Sequence, residues 1–107
     1  MTRRTGFAET IRAVGNGHVS YGTAVEGRLA SVLLCDQLSR GAFRGSAEAF
    51  AFDEAALKFC KDARAEGQHT ALPAAARQFL CMPLLHSEEL ADQEENVRCF
   101  VLERSFF

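Results

Sequence analysis

The stretch "TAVEGRLASVLLCDQLSRG", Thr23 to Gly41, decides the fold class. Val25, Leu29, Val32 and Leu33 recur at i, i+4, i+7 and i+8. At about 100° per residue they share one face of a helix, which a strand's period of two would not give. Thr23 and Glu26 read as a T-x-x-E capping box, each side chain satisfying a backbone N–H that the first turn leaves without a partner. Gly41 suits the position just past the helix end. Asp36 falls near the middle of the apolar face, with Arg40 one turn on. A carboxylate among valines and leucines is costly unless paired, which predicts an Asp36–Arg40 interaction with Arg44 as a second partner.

The neighbouring segments carry the same period. "FAETIRAV" (7–14) reads as a short helix stopped by "GNGHVSYG" (15–22). That glycine-rich run lacks the preceding strand and the Lys-Ser/Thr of a phosphate loop, so it reads as a plain connection. Downstream, Ser46 opens a turn or short helix, and a longer helix starts near Asp53. Phe52, Ala56, Phe59, Cys60 and Ala63 form its buried stripe, Glu54 and Lys58 lie on its wet side, and Gly67 ends it. Pro73 suits the first position of "PAAARQFLCM", and Pro83 predicts a break or kink at Met82. The last helix is expected from Ser87 as N-cap, with Glu88 and Glu89 at the positive end of its dipole. Its apolar stripe is Leu90, Val97, Phe100 and Val101, with Gln93 inside it; Glu88, Asp92 and Glu95 fall on the opposite, solvated face. His86 and Gln93 point inward, with Glu89 at the edge. No segment alternates with a period of two, so the expectation is all-α, a single helical domain over residues 1–107.

Composition narrows the class further. Of 107 residues, 48% are hydrophobic and 24% charged, an ordinary balance for a globular chain. A net charge of −2 lacks the basic face that a nucleic-acid partner requires. "LASVLLC" is too short to span a bilayer, and "MTRRTGFAET" has no apolar stretch after its arginines, so neither membrane insertion nor secretion is expected. The cytoplasm is the expected compartment, with mitochondrial import as the alternative. Cys35, Cys60, Cys81 and Cys99 include no C-x-x-C and sit within apolar helical runs, as small buried hydrophobes would in a reducing compartment. No motif for a cofactor or a metal is present.

Two motifs carry a family resemblance. "DQLSRGAFRG" (36–45) and "HSEELADQE" (86–94) resemble the D-Q-F-P-R-N-x-F-R-G and H-S-E-D-L-A-D-Q-E signatures of the family known as domain of unknown function 924. The resemblance covers about Ala24 to Phe100, including "AEAFAFDEAALKFCKDARAEG" between the motifs. It implies antiparallel helix pairs in a tetratricopeptide-like α-α superhelix, although no repeat is visible in the chain itself. It also implies a shared polar constellation: Asp36, Gln37, Arg40 and Arg44 from one motif, and His86, Ser87, Glu88, Asp92 and Gln93 from the other. Leu38-Ser39 stands where the family has Phe-Pro, Gly41 where it has Asn, and Glu89 where it has Asp. Relatives also carry a Trp-Phe segment at the start and further helices at the end. The chain therefore resembles a shortened member or fragment, with Phe106 and Phe107 left exposed or covered in a homodimer.

Three roles fit this constellation. Arg40 and Arg44 with His86 and Gln93 would hold a carboxylate or a peptide end, since guanidinium forks match planar anions. The same residues, with Asp36, Gln37, Ser87 and Glu89, would equally form a buried network that pins two helix pairs together. A hydrolase-like or metal-assisted enzyme would use His86 as general base, or His86, Glu89 and Asp36 as ligands. No G-x-S-x-G setting supports a serine nucleophile. The expected role is a binding or scaffold module for a peptide or small anion, with the enzyme as alternative.

Overall fold

The computed structural model describes residues 2–99, with side chains from residue 7 onward. Every regular element among them is helical: α1 (Thr2–Gly15), α2 (Val25–Val32), a π segment (Leu33–Leu38), α3 (Ser39–Ala42), a 3-10 turn (Ala47–Phe50), α4 (Asp53–Ala65), a second 3-10 turn (Gln68–Ala71), α5 (Ala74–His86) and α6 (Leu90–Val97). None of the described helices is long and apolar enough to cross a membrane. The expected roles of Phe100, Val101, Phe106 and Phe107 fall outside the described residues.

The predicted second helix runs from Val25 to Ala42 through its π segment. There the Ser39 N–H donates to Leu34 O, five residues back, which widens the turn. The Cys35 carbonyl is then taken by the Ser39 hydroxyl at 2.7 Å. The wider turn brings Leu34, Cys35, Asp36 and Ser39 all inward. It also carries the helix past Gly41, which is an interior residue and not the terminator; the chain reverses at Gly45, with φ +84°. The Thr23–Glu26 capping box does not form. Ala24 is the cap residue, and its methyl side chain cannot accept a hydrogen bond; the Thr23 carbonyl accepts from Gln68 Nε2 at 2.8 Å. Gly27 lies beneath Tyr21, whose carbonyl oxygen would stand 2.1 Å from a Cβ at that position.

Further along, Ser46 caps the first 3-10 turn by accepting from the Glu48 N–H at 3.1 Å. Helix α4 starts at Asp53, buries Phe52, Ala56, Cys60 and Ala63 along its expected stripe, and gives way to Gly67 in the left-handed region. Lys58 is exposed as expected and pairs with Asp62. Pro73 caps α5 instead of opening it, and α5 continues through Pro83 to His86. Only one turn lies beyond that proline. Leu80, Cys81 and Leu84, all fully buried, hold the helix together across the missing N–H.

The last helix departs furthest from expectation. It starts at Leu90 with Glu89 as cap residue, not at Ser87. Ser87 stays extended because its hydroxyl accepts from the Glu89 N–H and donates to Asp92 Oδ2 at 2.7 Å. The wheel is also reversed: Leu90 and Val97 are exposed, while Asp92 and Cys99 are buried. Ion pairs replace apolar packing on the inner face. Lys61 Nζ lies 2.9 Å from Asp92 Oδ1, and Arg64 donates to Glu95 through Nε at 2.9 Å.

Two apolar clusters result. One gathers Ile11, Val14, Leu34, Cys35, Phe43, Phe52 and Ala56. The other gathers Val32, Cys60, Ala63, Leu80, Cys81, Leu84 and Cys99. Phe59 of α4 packs against both.

Candidate functional site

The π turn places Asp36 at 1% exposure, where a carboxylate survives only with its oxygens occupied. Oδ1 accepts from His86 Nδ1 at 2.8 Å and from Arg40 Nη2 at 3.1 Å; Oδ2 accepts from Gln37 Nε2 at 2.9 Å. Arg40 Nη2 also approaches His86 Nδ1 to 2.8 Å. An ionised Asp36 accepts from both nitrogens at Oδ1, which places a proton on His86 Nδ1. The expected Asp36–Arg40 pair is therefore present, and His86 takes the place expected for Arg44. The neighbouring Cys35 thiol is pushed up to about 11 by burial and by the Asp36 charge, so it stays protonated.

Arg40 reaches a second carboxylate, Asp53, with Nη2 3.4 Å from Oδ1. That is an ion-pair distance without hydrogen-bond alignment, and Asp53 Oδ1 is buried with no hydrogen-bond partner. Burial raises the Asp53 carboxyl above its ordinary value, the Asp36 charge adds to the rise, and Arg40 and His86 oppose it. The Arg40 guanidinium also stacks 5.1 Å from the centre of the Phe50 ring.

Over this network lies a cleft of about 350 Å3, bounded by α4 on one side and by the end of α5 and the 87–89 connection on the other. Its described lining is Asp36, Asp53, Glu54, Leu57, Pro83, His86, Ser87, Glu88 and Glu89. The motifs thus supply Asp36, Gln37, Arg40 and His86 as one hydrogen-bonded group, with Ser87, Glu88 and Glu89 at the cleft wall. Gln93 serves the backbone: its Nε2 donates to the carbonyls of Leu85 and Ser87, fixing the connection. Asp92 is buried, not solvated, and the Ser87 hydroxyl and Lys61 ammonium hold its carboxyl below the ordinary range. Arg44 stands apart, exposed, in a separate cavity with Arg40, Ser46 and Phe50. The metal set of His86, Glu89 and Asp36 is not assembled: among the described residues no group of three or more His, Cys, Asp or Glu could hold an ion.

Sequence reasoning missed Asp53, Lys61 and Arg64. A usable signal was present for two of them. Lys61 and Arg64 are three residues apart, as are Asp92 and Glu95, so two helices carry complementary charges at matched spacing. Asp53 carried no such signal, since an acid at a helix start has a sufficient reason in the dipole.

Fold and site together define an all-helical protein organised around a buried aspartate shared by an arginine and a histidine. The family model described as "Bacterial protein of unknown function (DUF924)" matches residues 2–105, and the chain belongs to that family. Comparison with curated proteins and with solved structures returns no match.

Proposed function

We propose that this is a binding module, and that the cleft over Asp36 receives a cationic group such as the lysine or arginine side chain of a peptide. One observation carries the reading. The described lining holds five carboxylates and one imidazole and no lysine or arginine, so the field inside favours positive charge. Asp53 fits the role well. A buried carboxylate oxygen without a hydrogen-bond partner is costly in the empty protein, and an ammonium or guanidinium would supply the missing donors. On this reading Asp36, Gln37, Arg40 and His86 form the floor, with Arg40 Nη2 held by Asp36 and Arg40 Nη1 left without a hydrogen-bond partner. Ser87 and Glu89 form the rim, and Gln93 holds the rim in place. The helices would stack as antiparallel, tetratricopeptide-like pairs forming one domain, in a reducing compartment such as the cytoplasm. The small anion expected from Arg40 and Arg44 would belong to their separate cavity.

Thermal-shift titration separates these outcomes. Short lysine- or arginine-containing peptides should raise Tm, and Asp53→Asn should weaken the rise about tenfold in apparent affinity, as for loss of one charged hydrogen bond. Stabilisation by dicarboxylates alone, abolished by Arg44→Ala, would replace the cationic ligand with an anionic one. A second reading has its own observation. The Asp36–His86 contact at 2.8 Å orients the imidazole as in an aspartate-supported general base. That reading requires turnover of an ester or amide panel that His86→Ala eliminates while the fold is kept.

A further inference from the structure

The second apolar cluster contains a group of thiols that neither the network nor the cleft uses. Cys60 of α4, Cys81 of α5 and Cys99, two residues past α6, are all buried there. Cys99 Sγ lies 2.7 Å from Cys81 Sγ. That is well inside the ~3.5–4.0 Å at which even the smaller carbon atoms rest against one another. Cys60 also acts on the Cys81 thiol through a side-chain hydrogen bond. The described residues offer no group of three or more ligands able to hold a metal, so the cluster is not a thiolate metal site. The thiols are buried, with one side chain between them and a surface cavity. Arg64 Nη1 reaches to 3.7 Å from Cys81 Sγ, and Arg64 lines a surface cavity of about 340 Å3 between α4 and α6. One guanidinium therefore separates the thiols from a space open to small molecules.

We infer that Cys81 and Cys99 are a modification site, a dithiol pair that a peroxide converts to an intramolecular disulfide. One thiolate attacks the peroxide, the O–O bond breaks, and a sulfenic acid forms with release of one water. The second thiol attacks that sulfur, the S–O bond breaks, the S–S bond forms, and a second water leaves. Two thiols lose two electrons and two protons in all, and hydrogen peroxide becomes two waters. Thiolate is scarce: hydrogen bonding with Cys60, the largest cause, and burial push Cys81 up to about 12, which slows the attack on the peroxide. The bond joins residues 18 positions apart. The loop it closes contains His86, Ser87, Glu88 and Glu89, so oxidation would tether the cleft's rim to the core. The inference does not depend on what the cleft binds.

The test uses the full chain treated with hydrogen peroxide, then denatured, alkylated and analysed by mass spectrometry. Two of the four thiols should become unreactive, the tryptic peptides carrying Cys81 and Cys99 should be joined, and dithiothreitol should restore both. The oxidised protein should melt higher by roughly 10 °C or more, as expected for closing a loop of this size. Cys60→Ser should keep the bond and Cys99→Ser should remove it. The wild-type peptide map suffices should either variant fail to fold. Four thiols that stay alkylatable, or a link from Cys60 to Cys81 in place of the expected one, would overturn the inference.

Discussion

Asp36 concentrates the energetics of the site in one side chain. Its two oxygens take hydrogen bonds from Gln37, Arg40 and His86, so its removal strands charges and donors on three neighbours. Asp36→Ala should cost about 3–5 kcal/mol in urea denaturation, the range for removing one partner of a buried ion pair. Asp53, paired with the same Arg40, has the opposite sign. Its folded carboxyl titrates above its ordinary value, so the ionised form is disfavoured at neutral pH and the penalty disappears as pH falls through that raised value. Asp53→Asn should therefore leave Tm at pH 7 unchanged or higher, and any gain should vanish when melts are repeated toward pH 4. A clear loss of stability at pH 7 would make Asp53 a structural partner of Arg40 and not a residue kept for a ligand.

At the scale of elements, a helix is placed by what it can approach as much as by its own propensity. Gly27 is an interior residue of α2, where alanine normally gains up to about 1 kcal/mol. Here a Cβ would stand 2.1 Å from the Tyr21 carbonyl oxygen, a backbone atom held by the loop beneath. Gly27→Ala should therefore lower stability by about 1–3 kcal/mol, whereas Gly41→Ala, with nothing within 4 Å, should raise it slightly. Equal melting shifts for the two would mean that the loop yields. The same distinction explains what was legible in the sequence. The apolar periods of α2 and α4 were readable because those helices bury hydrocarbon, and periodicity detects that directly. Pro83 and α6 were misread because tertiary contacts overrode local rules. Leu80 and Leu84 carry α5 through its proline, and the inner face of α6 is held by Lys61 and Arg64, leaving Leu90 and Val97 outside. A hydrophobicity wheel cannot recognise a face buried by charge pairing. Within the site, the motifs brought together Asp36, Gln37, Arg40 and His86, but Asp53 becomes visible only once α4 is folded beside them.

For the molecule as a whole, the central question is how two small clusters unfold as one. The first joins α1 to the π segment and the start of α4; the second joins the later part of α4 to α5 and to Cys99 after α6. Each is too small to be stable alone, since cores of this size leave little surplus over chain entropy. Continuous helices cross between them, and Phe59 is the one described side chain that packs against both. Its ring should therefore contribute cooperativity beyond its own burial. Phe59→Ala should cost about 3 kcal/mol. It should also lower the urea m-value, because the α5–α6 half would open before the α1 half and broaden the transition. Tyr21 fluorescence and far-UV circular dichroism can follow the change, as coincident curves in the wild type and separated curves in the variant. The Asp36–His86 contact supplies a second tie, since it links the π segment to the end of α5. His86→Ala added to Phe59→Ala should therefore separate the two curves further. Coincident transitions in the double variant would show that the backbone of α4 alone couples the halves.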